Sequence, residues 1–180
     1  MFRMRRFSVH GFLLLAALGV IGCERGQPTP CVDVVASNDN GQFELALGGL
    51  ARDRENKLEW YRCSLGQRFN GSECVGEAQY EKWEDTIVII DEVNEKSGTN
   101  WRMPTLKELR TLVIEDCGNP AVNPNVFPGI LVENYWAADK SSASGFRCGM
   151  YTYLGATSCR LFNNLQIFQQ PAEVFCLQST

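Results

Sequence analysis

Apolar and polar positions change period several times along the chain, and each change marks an element. From Gln42 to Leu47, the residues Phe43, Leu45 and Leu47 alternate with polar or small neighbours, the period of a half-buried strand. Gly48-Gly49 turns the chain, and Leu58-Glu59-Trp60-Tyr61 resumes as a strand. From Tyr80 to Asn94 two periods compete. Trp83, Ile87, Ile90 and Asn94 share one helical face, whereas Thr86-Ile87-Val88-Ile89-Ile90 alone is a β-branched run suited to a buried strand. Ser97-Gly98 ends that element. Pro104 then disfavours helix at Met103 and is itself tolerated where a helix begins. Thr105 and Glu108 have the spacing of a capping box, and Leu106, Leu109, Leu112 and Val113 make one apolar stripe, so a helix starts here. Cys117 to Gly129, with three prolines and three asparagines, reads as an ordered loop. Short strands are expected at Ile130-Leu131-Val132, Asn134-Tyr135-Trp136, Phe146 to Tyr153, Cys159 to Phe162 and Val174 to Leu177.

The first residues carry a different signal. Arg3, Arg5 and Arg6 precede an apolar run from Gly11 to Ile21 that is much shorter than the roughly 20 residues needed to span a bilayer, as in a targeting segment. Val20-Ile21-Gly22-Cys23 looks like a bacterial lipobox, in which Cys23 is acylated and becomes the first residue after cleavage. The expected organisation is therefore a signal peptide over 1–22, a lipid-anchored tether over 23–37 and one domain over 38–180. Glu24 stands where inner-membrane retention would favour aspartate, which points to the outer membrane of a Gram-negative cell envelope. Cleavage removes three arginines and no carboxylate, moving the net charge from −4 to −7. Such a balance argues against nucleic acid and against a simple polyanion-binding surface.

Cys23 aside, seven cysteines remain in what reads as an exported domain, where disulfides are expected and an odd number leaves one thiol free or joined between chains. Cys63 and Cys74 bracket Asn70-Gly71, a strong hairpin dipeptide, and predict one bridge. Cys148 and Cys159 lie around Gly155 between two aromatic and β-branched runs and predict a second. Among Cys31, Cys117 and Cys176 a Cys117 to Cys176 bridge is favoured, although spacing alone does not decide connectivity.

Several separated motifs, in order, carry a family resemblance. Trp101-Arg102-Met103-Pro104-Thr105 with Glu108-Leu109 resembles the "W-R-L-P-T-x-x-E-L" signature of the domain that ends the Legionella collagen-like adhesin, the Lcl C-terminal domain family. Arg52-Asp53 with Leu58 to Cys63, Cys63 to Cys74, Tyr80 with Trp83, Asn119 to Asn123 with Phe127-Pro128, and Tyr135-Trp136 are similar to further motifs of that family. A similar helix start occurs in the formylglycine-generating enzymes, whose fold is a variant of the C-type lectin fold. The resemblance implies an α+β, C-type-lectin-like domain with two helices and short antiparallel strands, stapled by disulfides, and it selects helix for the stretch after Tyr80. It marks Trp60, Trp83, Trp101, Arg102, Pro104, Glu108 and Trp136 as the structural signature. Ala137-Ala138 departs from the usual serine pair after Tyr135-Trp136.

Candidate chemistry is sparse. His10, the only histidine, lies in the signal, so the mature chain has no Ser-His-Asp, Cys-His or histidine-metal machinery. Nothing matches the catalytic cysteine segment of the formylglycine-generating enzymes, and no catalytic or metal-ligating residue is assigned. Glu81, Glu84, Asp85, Asp91, Glu92 and Glu95 read as a solvated face. Calcium, which many C-type lectins hold through carboxylates and asparagines, is the alternative to no cofactor; the tripeptide "W-N-D" of that family is absent and Asn38-Asp39-Asn40-Gly41 lacks the flanking ligands of a calcium loop, so no cofactor is expected. The four tryptophans read as core, and Arg102 as held by a carboxylate or carbonyls. Binding candidates are the loop residues Asn119, Asn123, Asn125, Asn134, Asp139 and Lys140, followed by Ser141, Ser142 and Ser144. The expectation is a non-enzymatic, adhesin-like envelope protein that is anchored to a membrane and presents these loops to a glycan, an envelope protein or a host protein. The alternative is a structural or assembly lipoprotein acting through protein-protein contacts.

Overall fold

The computed structural model describes residues 26–140, 142, 145–161 and 177–179. The elements in chain order are α1 (Cys31–Val34), β1 (Phe43–Ala46), β2 (Leu50–Asp53), β3 (Leu58–Tyr61), β4 (Arg68–Phe69), β5 (Cys74–Val75), α2 (Trp83–Ser97), β6 (Trp101–Arg102), α3 (Leu106–Arg110), β7 (Asn134–Lys140), β8 (Phe146–Tyr151), β9 (Ala156–Leu161) and β10 (Leu177–Ser179). They make an α+β fold with three small antiparallel sheets: β1-β2-β3-β10-β6, the ribbon β4-β5, and the meander β7-β8-β9. The last strand inserts inside the first sheet, with Leu177 opposite both Trp60 of β3 and Arg102 of β6. Among the described residues no helix is long and apolar enough to cross a membrane.

Helix wins over strand after Lys82. The β-branched run costs a few tenths of a kcal/mol per residue in helix propensity, less than is gained by burying the Trp83 and Ile90 side. Gly98, in the left-handed region at φ 67°, ends the helix and donates its N–H to the Asn94 carbonyl. Helix α3 has the expected capping box but stops at Arg110, so Leu112 and Val113 of the apolar stripe sit in the turn beyond it. Leu109 and Leu112 are buried nonetheless, in a core with Trp60, Phe127, Tyr135 and Met150. Phe127 meets the Phe43 and Trp60 rings edge-on at centroid distances of 5.7 and 6.3 Å. A smaller core gathers Trp83, Ile90, Met103 and Trp136.

Three expectations need correction. Cys117 pairs with Cys31, not with Cys176, which lies outside the described residues together with the signal segment and Cys23. The reason is backbone pairing: Cys31 N–H donates to the Gly118 carbonyl and Gly118 N–H to the Thr29 carbonyl, so the chain is held to the body from Thr29 within the stretch expected to be tether. Gly118 allows this approach, because a Cβ there would lie 2.7 Å from the Tyr153 carbonyl oxygen and 2.9 Å from the Pro28 side chain. Second, Leu45 and Leu47 do not follow Phe43 into the core; β1 is an edge strand and ends before Leu47, which is exposed in the turn. Third, Ile130 to Val132 forms no strand, since the Leu131 N–H donates to the Tyr135 hydroxyl, not to a ladder. The Cys63–Cys74 and Cys148–Cys159 bridges form as predicted, the latter directly across β8 and β9.

The loop from Cys117 to Gly129 is ordered by a buried arginine. Arg62 donates from Nε to the Val126 carbonyl at 2.7 Å and from Nη2 to the Asn125 carbonyl at 2.9 Å, with its guanidinium 4.4 Å above the centre of the Phe69 ring. Burial lowers the Arg62 pKa from its ordinary value.

The bridges differ in the chain they close. Cys31 and Cys117 are separated by 86 residues and Cys148 and Cys159 by 11, so restraint of the unfolded chain makes the first worth more. Replacing Cys31 and Cys117 with alanine should lower the unfolding free energy by roughly 1–2 kcal/mol more than replacing Cys148 and Cys159. Urea denaturation of the two double variants checks this; equal losses would contradict it.

Candidate functional site

The site is built around the start of α3. Thr105 is extended (φ −78°, ψ 162°), its Oγ1 accepts the Glu108 N–H at 3.2 Å, and Glu108 Oε2 accepts the Thr105 N–H at 2.7 Å. The same carboxylate receives Arg102 in a forked pair, Nη2 to Oε1 at 2.7 Å and Nη1 to Oε2 at 3.0 Å. Arg102 Nη1 also donates to the Met103 carbonyl at 3.1 Å. The hydrogen bonds from Arg102 are the main reason the Glu108 pKa falls to about 2, with those from Thr105 adding to them; the Arg102 pKa is raised by the same pair. From β7, Asp139 Oδ2 accepts the Leu106 N–H at 2.6 Å, and the Ala138 N–H donates to the Pro104 carbonyl at 2.7 Å. Strand β6, helix α3 and strand β7 are thereby locked to one another.

Helix α2 closes the other side. The Trp83 indole N–H donates to the Ala137 carbonyl at 2.8 Å, and the Trp136 indole N–H to the Glu81 carbonyl at 2.9 Å, a reciprocal clamp between the helix entrance and β7. Asn94 holds Trp101 by both backbone groups, accepting its N–H at 2.7 Å and donating to its carbonyl at 2.8 Å. Between these elements lies an open groove of about 410 Å³, lined by Trp83, Ile87, Ile90, Asp91, Trp101, Arg102, Met103, Thr105 and Ala138. Its walls are mostly apolar. Trp83, Ile90 and Met103 are buried, Trp101 is half-buried, and Ile87, Asp91 and Ala138 are exposed.

Two of the cations at and near the groove are ion-paired. Arg102 is paired with Glu108, and Arg147 forms an ion pair with Glu84 while its guanidinium lies 4.5 Å from the Trp83 ring centre. The Lys140 ammonium lies 5.2 Å from the same ring centre. Asp91 has no ion-pair partner among the described residues. Among those residues, no group of three or more histidine, cysteine, aspartate or glutamate side chains is gathered as a metal ion would require. A firm apolar trough with one unpaired carboxylate is suited to holding a ligand.

The loop candidates divide into two places. Asn123 is buried, with Nδ2 donating to the Asp39 carbonyl at 3.0 Å and Oδ1 accepting the Asn125 N–H at 2.9 Å; Asn125 Nδ2 donates to the Ala36 carbonyl at 2.7 Å. Both amides thus fasten the Cys117 to Gly129 loop to the chain before β1. Asn119 is exposed and precedes a cis peptide bond to Pro120, and Asn134 begins β7 opposite Tyr151. None of these four lines the groove. Asp139 and Lys140 flank it, Asp139 as acceptor for the α3 amide and Lys140 over Trp83. Ser141 and Ser144 lie outside the described residues, and Ser142 is exposed. Trp60 and Trp136 are core, as expected, whereas Trp83 and Trp101 also line the groove. Ile87, Asp91 and Ala138 were not legible as site residues. The available signal was the Ile87-Asp91 spacing of four beside Trp83.

The family model of the Lcl C-terminal domain matches residues 49–165, a span that includes every residue of the groove. No curated protein and no solved structure matches the chain.

Two outcomes follow from the geometry. Because the Glu108 carboxyl is depressed from 4.5 in the unfolded chain to about 2, its stabilisation is complete above pH 4.5 and disappears as pH falls toward 2. Urea unfolding across that window should show a loss that Glu108→Gln removes by lowering stability at neutral pH; identical pH profiles would contradict this. Asn123→Ala, which removes a buried amide and leaves the Asn125 N–H without its acceptor, should destabilise the fold by about 1–3 kcal/mol in the same measurement.

Proposed function

The chain belongs to the Lcl C-terminal domain family, and from that premise we propose a lipid-anchored, non-enzymatic recognition protein of the bacterial cell envelope. The domain is C-type-lectin-like on this reading, supported by two principal helices and by a terminal strand that returns between β3 and β6. The anchor is Cys23, supported by the basic and apolar stretch before it, and the outer membrane is the compartment that Glu24 favours. The partner is a glycan or a protein of the envelope or the host, engaged at the groove between α2, β6, α3 and β7.

The observation that carries this reading is the preorganised groove: Trp101 is fixed by Asn94, Arg102 by Glu108, and Trp83 by Ala137, so a ligand meets an aromatic surface already in place. Arg102 is satisfied within the protein and Asp91 is not, which disfavours a polyanionic partner and leaves neutral glycans and protein segments. A role in envelope assembly through protein contacts is favoured by one further feature, the exposed Ile87 of the groove wall and the exposed Val88 next to it on α2.

The test presents the full chain in nanodiscs of zwitterionic lipid to a panel of glycans, matrix proteins and envelope proteins at two salt concentrations. Saturable binding is expected, and Trp101→Ala should weaken it by at least roughly tenfold with the near-ultraviolet circular dichroism of the remaining aromatics retained. No binding across the panel, or binding indifferent to Trp101, would sink the proposal.

A further inference from the structure

We propose that the groove and the adjoining face of α2 receive a cationic, apolar segment of a protein partner, with one apolar side chain in the groove and lysine or arginine side chains against the helix carboxylates. The inference rests on the recognition role proposed above and selects a protein over a glycan at that site. It begins from α2, which carries Glu84, Asp85, Asp91, Glu92 and Glu95, all exposed, against a single cation, Lys96. Glu84 is engaged by Arg147, and Glu92 by Lys96 at 3.0 Å. Asp85, Asp91 and Glu95 have no ion-pair partner among the described residues.

Two apolar side chains stand among these carboxylates, Ile87 at 36 % exposure and Val88 at 57 %. Ile87, Asp91 and Glu95 follow one another at four-residue spacing, so they lie along one stripe of the helix, and Ile87 and Asp91 form the groove wall facing Trp101 and Arg102. Of the cations in and near the groove, Arg102 is paired with Glu108 and Arg147 with Glu84, while Lys140 flanks the groove and lies over the Trp83 indole. The surface is thus an apolar trough, continued outward by Ile87 and Val88 and bordered by unneutralised carboxylates. A neutral sugar would leave those carboxylates and Val88 unused, and a polyanion would be repelled. A chain segment with an apolar side chain beside basic ones matches both features.

The experiment uses the full chain in zwitterionic nanodiscs, with empty nanodiscs subtracted, and measures binding of a short end-blocked peptide of lysine and leucine by surface plasmon resonance. Two matched peptides replace leucine by serine or lysine by glutamate. The lysine-leucine peptide should bind saturably and less tightly as salt rises, and each replacement should weaken it by roughly tenfold or more. Asp91→Lys should weaken binding to a similar degree with thermal unfolding unchanged, whereas Asp33→Lys, an equal change of net charge on α1, should not. Equal loss in both charge variants would reveal only general attraction to an acidic protein and would overturn the proposal, as would absent binding or equal binding of the three peptides. Should the peptide fail while a panel glycan binds in a Trp101-dependent manner, the recognition role stands and this inference falls; if neither binds, both fall.

Discussion

The Glu108 carboxylate is the point on which the arrangement of this domain depends. It accepts hydrogen bonds from the Thr105 backbone and hydroxyl and from both terminal nitrogens of Arg102, so one side chain caps a helix and fastens that helix to a strand of the main sheet. Its low pKa is the chemical signature of that concentration of donors. Because Arg102 belongs to β6 and β6 pairs with β10, the last described strand, the same node joins the middle of the chain to its end.

The geometry of the groove follows from this node. Arg102, Trp101 and Met103 project from the segment that Glu108 immobilises, and they form one wall of the groove; α2 forms the opposite wall through Ile87, Ile90 and Asp91. Satisfying Arg102 internally removes a cation from the site without removing its shape. The consequence is a trough whose electrostatics are set by α2, and α2 is acidic.

The role of the polar loop residues runs against intuition based on loops. Asn123 and Asn125 occupy an irregular, proline-rich segment of the kind that often carries binding residues, yet their amides hold that segment to the chain around Ala36 and Asp39. Arg62 does the same from below with two carbonyl contacts. A loop without a ladder must satisfy its backbone with side chains, and Asn123, Asn125 and Arg62 are consumed there. Disulfides complete the restraint: Cys63–Cys74 at the β4-β5 hairpin, Cys148–Cys159 across β8 and β9, and Cys31–Cys117 tying the chain before β1 to the loop.

Local features determined much of this protein from sequence alone. The Thr105–Glu108 capping box, the buried Leu109 and Leu112, the Cys63–Cys74 and Cys148–Cys159 staples and the family itself follow from signals contained within a few residues, where spacing and local hydrogen bonding are decisive. Tertiary structure decided what depends on distant partners. Cys31 found Cys117 because of a backbone pairing through Gly118, and Leu47 stayed outside because β1 ends before it, in the turn to β2. The groove likewise exists only where Trp83, Trp101, Arg102 and Ala138 converge from separate elements. Period and composition say which face of an element is apolar; they carry no information on which other element will leave part of that face uncovered.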